Sequence, residues 1–186
     1  MRRVQRQALV VSFMLATCLW WGTTSAQAYT VQTGDQMVRT VMGVSSNFMR
    51  YEVVTKETPA NAFLTGLGYE YALDGPWNVV GQVSPGFADG FIDLRLGGGA
   101  KYRLIQLEMP LVPYAEAQVI TAFGIPTRYQ ELHFNMGLRT GLGFDYFVMR
   151  QLCVGFGLAW EFSGLFSPEI APEMTAEGVL SVGWKF

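Results

Sequence analysis

From Leu132 to Val148 the chain alternates between two kinds of residue. Leu132, Phe134, Met136, Leu138, Thr140, Leu142, Phe144, Tyr146 and Val148 take the even positions, and His133, Asn135, Gly137, Arg139, Gly141, Gly143, Asp145 and Phe147 the odd ones. Successive side chains of a strand leave opposite faces, so this stretch predicts a strand with one bulky apolar face and one small or charged face. The pattern recurs where Val154, Phe156, Leu158, Trp160 and Phe162 oppose Cys153, Gly155, Gly157, Ala159 and Glu161. It recurs again where Ile92, Leu94, Leu96, Ala100, Tyr102 and Leu104 oppose Asp93, Arg95, Gly97, Gly99, Lys101 and Arg103. Phe63, Leu67, Tyr69, Tyr71 and Leu73 oppose Ala62, Leu64, Gly66, Gly68 and Glu70, and Val38, Met42 and Val44 oppose Arg39, Gly43, Ser45 and Asn47. A C-terminal strand over Gly178–Phe186 and two less regular ones, about residues 77 to 84 and 113 to 124, complete a set of eight. The phase of those two irregular strands is left open by the pattern.

A soluble sandwich would put Thr, Lys, Glu and Gln on its solvated face. Here the non-bulky face is Gly and Ala with scattered charges, which suits the cramped interior of a narrow closed barrel, while the bulky face suits lipid. No open sheet edge is tolerable in hydrocarbon, so the barrel must close. Connections alternate in character: "MRYEVVTKETPAN", "SPGFADG", "GIPTRYQ" and "LFSPEIAPE" on one side, "DGP", "IQLEMPLV" and "MRQ" on the other. Long loops outside and short turns in the periplasm fit if both termini are periplasmic. Pro110, Pro113, Pro126, Pro168 and Pro172 are then expected at or beside loops and turns. Trp184, Phe186, Trp77, Tyr71 and Tyr102 fall near the periplasmic strand ends as one aromatic girdle.

The first residues change the picture from sheet to exported sheet. Arg2, Arg3 and Arg6, an apolar run from Ala8 to Trp21, and Ala26-Gln27-Ala28 have the order of a secretory signal peptide, so residues 1–28 are expected to be removed and the barrel domain to span 29–186, beginning at Tyr29. The apolar run is shorter than the ~20 residues of a spanning helix. A lipoprotein would need Cys18 acylated, and Leu15-Ala16-Thr17 before it matches that pattern poorly. Losing three arginines and no acids takes the charge from 13 basic against 15 acidic residues to 10 against 15, a net of -5. An acidic chain with no basic run argues against nucleic acid as a partner. Cys153 is the one cysteine left, which excludes an internal disulfide and a cysteine-based zinc site.

The signal, "LRLGGGAKYRL" followed by "VPYAEA", the pair "GLRTGLGFDYFV" and "LCVGFGLAWEF", and the terminal Phe186 resemble the small eight-stranded outer-membrane barrels of Gram-negative bacteria, the OmpA transmembrane domain, OmpX and OmpW type. The resemblance implies an all-β, eight-stranded antiparallel up-and-down transmembrane barrel in the cell outer membrane, in contact with its lipid and lipopolysaccharide. It also implies that Leu180, Val182, Trp184 and Phe186 form the C-terminal signal read by the barrel-assembly machinery. It implies an architecture and no activity, and it names no surface partner.

The phases send Arg39, Arg95, Lys101, Arg103, Arg139 and Lys185 into the lumen against Glu70, Asp93, Asp145 and Glu161, with Glu116 a further candidate. A near-balanced set predicts a paired network plugging the lumen, since a lone buried charge costs several kcal/mol. The alternative is a small channel for hydrophobic or ionic solutes, for which a ring of one sign would serve better. A lipid-modifying enzyme is the third reading. The small-barrel lipid A deacylases are similar in size and use His, Ser and an acid, but after His133 it is Asn135 that stands where their serine would fall. No catalytic, metal or cofactor residues are therefore assigned. The outer loops are expected to carry Glu52, Glu57, Asp89, Glu131, Glu169 and Glu173 against Arg50, Lys56 and Arg128. The expected role is a structural or interaction protein of the cell envelope.

Overall fold

Long alternating strands with no polar edge to spare have one compact solution, closure into a cylinder. The computed structural model describes residues 32–50, 61–88, 91–105, 110–126, 133–166 and 170–186, so the expected signal segment 1–28 lies outside the described residues. Eight strands follow one another: β1 Gln36–Arg50, β2 Asn61–Asp74, β3 Trp77–Ala88, β4 Phe91–Arg103, β5 Leu111–Pro126, β6 His133–Phe147, β7 Leu152–Phe166 and β8 Ile170–Lys185. Each pairs antiparallel with its chain neighbour, and β8 returns to β1. Following paired residues once round, Met37, Glu70, Val80, Gly99, Gln118, Arg139, Glu161 and Thr175 lead back to β1 at Asn47, ten residues further along. That stagger tilts the strands steeply to the barrel axis.

The bulky alternate residues form the outer surface, Val38, Leu67, Val83, Leu94, Leu142, Phe156 and Leu180 among them. The two strands of open phase are resolved by the barrel: Asn78, Val80, Ser84, Val112, Gln118 and Ile120 are buried inside, and Trp77, Val79, Val83, Leu111 and Val119 face out. Trp77, Tyr71, Trp184 and Phe186 are exposed on the outer face at the end that carries both termini, where Trp77 meets Tyr102 edge-on with ring centroids 4.9 Å apart.

The strands run further than the alternation alone suggested. Only 89–90 separate β3 from β4 and only 167–169 separate β7 from β8, so most of "SPGFADG" and "LFSPEIAPE" is strand, and Glu173 belongs to β8 rather than to a loop. Pro113, Pro126 and Pro172 likewise sit inside strands, within three residues of an end, where a missing N–H costs the ladder little. On the terminus side, β2 and β3 are joined through Gly75 and Pro76, with Gly75 at φ 50°, a conformation that favours glycine.

Both ends of the β4–β5 connection are tied back to the barrel. Leu104 N donates to Pro113 O and Phe147 N to Pro110 O, both at 2.9 Å, which holds Ile105 against Met37, Ala72, Val112, Phe147 and Cys153. These apolar side chains seal the terminus end of the lumen. The seam of closure is pinned there too, by Phe186 N donating to Gln36 O at 3.0 Å, while Lys185 N donates to Gln151 O at 2.7 Å on the β7 side.

Candidate functional site: the charged lumen

Above the apolar seal the inward residues of β1, β2, β4 and β6 bring five charges together. Arg39 holds Asp145 with two parallel bonds, Nη2 to Oδ2 at 2.7 Å and Nη1 to Oδ1 at 2.9 Å, and its Nε lies 2.6 Å from Glu70 Oε1. Lys101 Nζ reaches Glu70 Oε1 at 3.1 Å and Asp145 Oδ2 at 3.3 Å. Arg103 Nε donates to Asp145 Oδ2 at 3.0 Å, and its Nη2 contacts Glu70 Oε2. Each carboxylate is thus shared by three cations. Asp145 is wholly buried, and such carboxylates survive in a low-dielectric interior only with this kind of multiple, charge-assisted pairing.

A second cluster fills the half nearer the loops. Arg95 spans the lumen, with Nε to Asp93 Oδ2 at 2.7 Å and Nη1 to Glu177 Oε1 at 2.6 Å and to Glu161 Oε2 at 3.0 Å. Arg139 Nε donates to Glu177 Oε2 at 2.8 Å, and its Nη1 contacts Glu116 Oε1. The lower cluster therefore holds three cations and two anions, the upper two cations and four anions. The lumen is polarised, positive toward the termini and negative toward the loops.

Tyr114 of β5 crosses between the clusters. Lys101 Nζ sits 3.6 Å from its ring centroid, a cation–π contact. The ring can lie there because the facing strands carry Gly143 and Gly157, where an added Cβ would come within 2.5 Å of the phenol oxygen. Among the described residues, small cavities along the two clusters measure about 40, 20 and 10 Å³. Each has room for little more than isolated water molecules.

Among the residues singled out from the sequence, Arg39, Glu70, Lys101, Arg103 and Asp145 meet in the lower cluster, and Asp93, Arg95, Arg139 and Glu161 in the upper, joined by Glu116. Lys185 stands apart at the terminus rim, where its Nζ pairs with Asp35 Oδ2 at 2.9 Å. Glu177, which bridges Arg95 and Arg139, was missed, because the last strand was read only from Gly178. Carrying its alternation back through Val179 to Glu177 and Thr175 would have found it. His133 lies in β6, but its side chain is outside the described residues, as are Glu52, Glu57, Asp89, Glu131, Glu169, Lys56 and Arg128.

No protein-family model matches the chain, and no curated protein is detectably similar to it in sequence. Solved structures do resemble it. Neisserial surface protein A superposes with a TM-score of 0.60 at 15% identity over 82% of this chain and 96% of that one. The N-terminal β-barrel domain of Pseudomonas aeruginosa OprF gives 0.57 at 16% identity over 83% and 98%. Ail, the attachment invasion locus protein of Yersinia pestis, gives 0.52 at 17% identity over 83% and 100%. At such identities the likeness concerns the fold. The chain has the fold of the small eight-stranded outer-membrane barrel proteins, with a buried ion-pair network in its lumen.

Proposed function

We propose that the protein is a non-conducting barrel of the outer membrane, with a structural or interaction role in the cell envelope and no enzymatic one. The observation that carries this is the filling of the lumen: an apolar seal, two ion-pair clusters and a tyrosine laid across the gap between them. Solute would have to displace paired, buried charges to pass, and each broken pairing leaves a charge uncompensated. Export through the N-terminal signal, insertion by the assembly machinery through Leu180, Val182, Trp184 and Phe186, and contact with lipid and lipopolysaccharide belong to the same reading, supported by the exposed apolar belt.

The experiment is conductance of the purified, refolded protein in planar bilayers. The expected result is no steady current above the bare membrane. Stable, large single-channel steps would overturn the plugged reading and put a channel for ionic solutes in its place.

A further inference from the structure

The outer face of the barrel is not uniformly bulky, and the loop-side half of the closing seam is notched. Along one row of outward residues from β7 to β2, Leu158 pairs with Gly178, Gly178 with Val44 and Val44 with Phe63, so a glycine stands between two apolar walls. In the next row toward the loops, Ala176, Ser46 and Asn61 are all short. In the next row toward the termini, Leu180 pairs with Met42, and these exposed side chains close the gap. The result is a notch of about 520 Å³ in the lipid-facing wall. It opens sideways to the membrane rather than through the lumen.

The barrel's own packing does not require glycine at 178. A Cβ added there would come no closer than 4.0 Å, to Val44 Cγ2, whereas one added at the neighbouring inward Gly43 would meet Gly178 O at 2.6 Å. A strand glycine that its own fold leaves with room marks a place where something from outside approaches the backbone. The width says what can enter. Leu158 and Val44 stand two strand spacings apart, roughly 10 Å between backbones, which leaves space for an alkyl chain and excludes an α-helix about 10–12 Å across. The polarity agrees. Val44, Phe63 and Leu158 are apolar, and Glu177, behind the notch, turns its carboxylate inward to Arg95 and Arg139. Ser46 and Asn61 put a hydroxyl and an amide at the loop-side end. The occupant is therefore apolar along its length and polar at one end. Because the notch is continuous with the exposed apolar belt, that occupant comes from the membrane.

We propose that the notch holds one acyl chain of a lipopolysaccharide molecule, with its methyl end against Leu180 and Met42 and its linkage to the headgroup beside Ser46 and Asn61. Serine and asparagine side chains both donate and accept hydrogen bonds, which fits an amide-linked chain, with an N–H as well as a carbonyl, better than the ester of a phospholipid. Moving a chain from neighbouring lipid to protein brings no hydrophobic gain inside a membrane. Selection therefore rests on close packing against Leu158, Val44 and Phe63 and on hydrogen bonds at the linkage. The proposal rests on the outer-membrane reading above, in which the leaflet on the loop side carries lipopolysaccharide.

The test is native mass spectrometry of the refolded protein in a neutral detergent, titrated with lipid A and, separately, with dioleoyl phosphatidylethanolamine. One saturable lipid A adduct is expected, outlasting all others as the collision energy rises. It should weaken at least fivefold in Gly178→Leu and in Ala176→Leu, whose side chains fill the notch, and stay unchanged in Gly81→Leu, an outward position on β3 where an added Cβ also meets open space. Mobility on cold detergent gels checks that each variant is folded. The absence of a saturable adduct overturns the proposal, as does an adduct that folded Gly178→Leu leaves unchanged, or phosphatidylethanolamine binding as tightly as lipid A. Membrane fractionation separates this inference from the reading beneath it: a barrel recovered in the outer membrane that retains no lipid A sinks the inference alone, whereas a barrel absent from the outer membrane sinks that reading as well.

Discussion

At the scale of single residues, the lumen separates charges that the fold depends on from charges that it does not. Asp145 serves three cations at once in a fully buried position, so removing its charge strands Arg39, Lys101 and Arg103 with Glu70 alone. Asp145→Asn should cost on the order of 3–5 kcal/mol, the usual penalty for breaking a buried ion pair from one side. Lys185 and Asp35 are also an ion pair, but their side chains are 18% and 21% exposed at the rim, where water and salt screen them. Lys185→Ala should cost about 1 kcal/mol or less. Urea unfolding of both variants in the same lipid or detergent checks this, and equal shifts of the two midpoints would show that burial of the cluster confers no special role on Asp145. Parity along the strands was enough to assign Arg39, Glu70, Arg139 and Asp145 to one face. Which acid meets which base was not legible, because Arg39 and Asp145 are 106 residues apart and meet only across the closed lumen.

At the scale of elements, β8 has the most to do, since it must pair with β7 along one edge and close on β1 along the other. The residue just after it takes part: Phe186 N donates to Gln36 O at 3.0 Å, and the ring is exposed on the outer face with Trp184, Val182 and Leu180 before it. Deleting Phe186 should lower the amount of protein reaching the outer membrane while leaving total synthesis unchanged, read by quantifying the protein in separated membranes. Equal outer-membrane levels with and without the residue would show that the terminal pattern is dispensable. The regular strands were readable because glycine and bulky residues alternate cleanly in them. β3 and β5 were not, because Val80, Val112 and Ile120 point inward, and apolar residues on both faces erase the alternation. Ile105, two residues past the end of β4, packs against the apolar cluster at the terminus end of the barrel.

At the scale of the molecule, eight seams close in one register with a stagger of ten residues, so no strand can leave without opening the whole cylinder. Unfolding should be all or none, and the folded form compact enough to persist in cold detergent. The folded protein should therefore run at a different position from the boiled protein on a cold detergent gel, and N-terminal sequencing of the folded band from envelopes should begin at Tyr29. A single band insensitive to boiling would count against a closed barrel, and a sequence beginning before Tyr29 against removal of residues 1–28.

The sequence by itself determined that this chain is a barrel, because side-chain parity is a local property: bulky residues at every second position and glycine between them have no other economical home. By the same parity it put Arg39, Glu70, Asp93, Arg95, Lys101, Arg103, Arg139, Asp145 and Glu161 on the inward face, but it missed Glu177 and sent inward Lys185, which lies at the terminus rim. Only the tertiary structure decided how those charges divide into a positive lower cluster and a negative upper one, since that depends on a stagger accumulated over eight seams. The same closure decided that Glu177 joins Arg95 to Arg139 and that Tyr114 finds Gly143 and Gly157 opposite it. Contacts across a lumen are set by register, and register is a property of the closed sheet rather than of any strand within it.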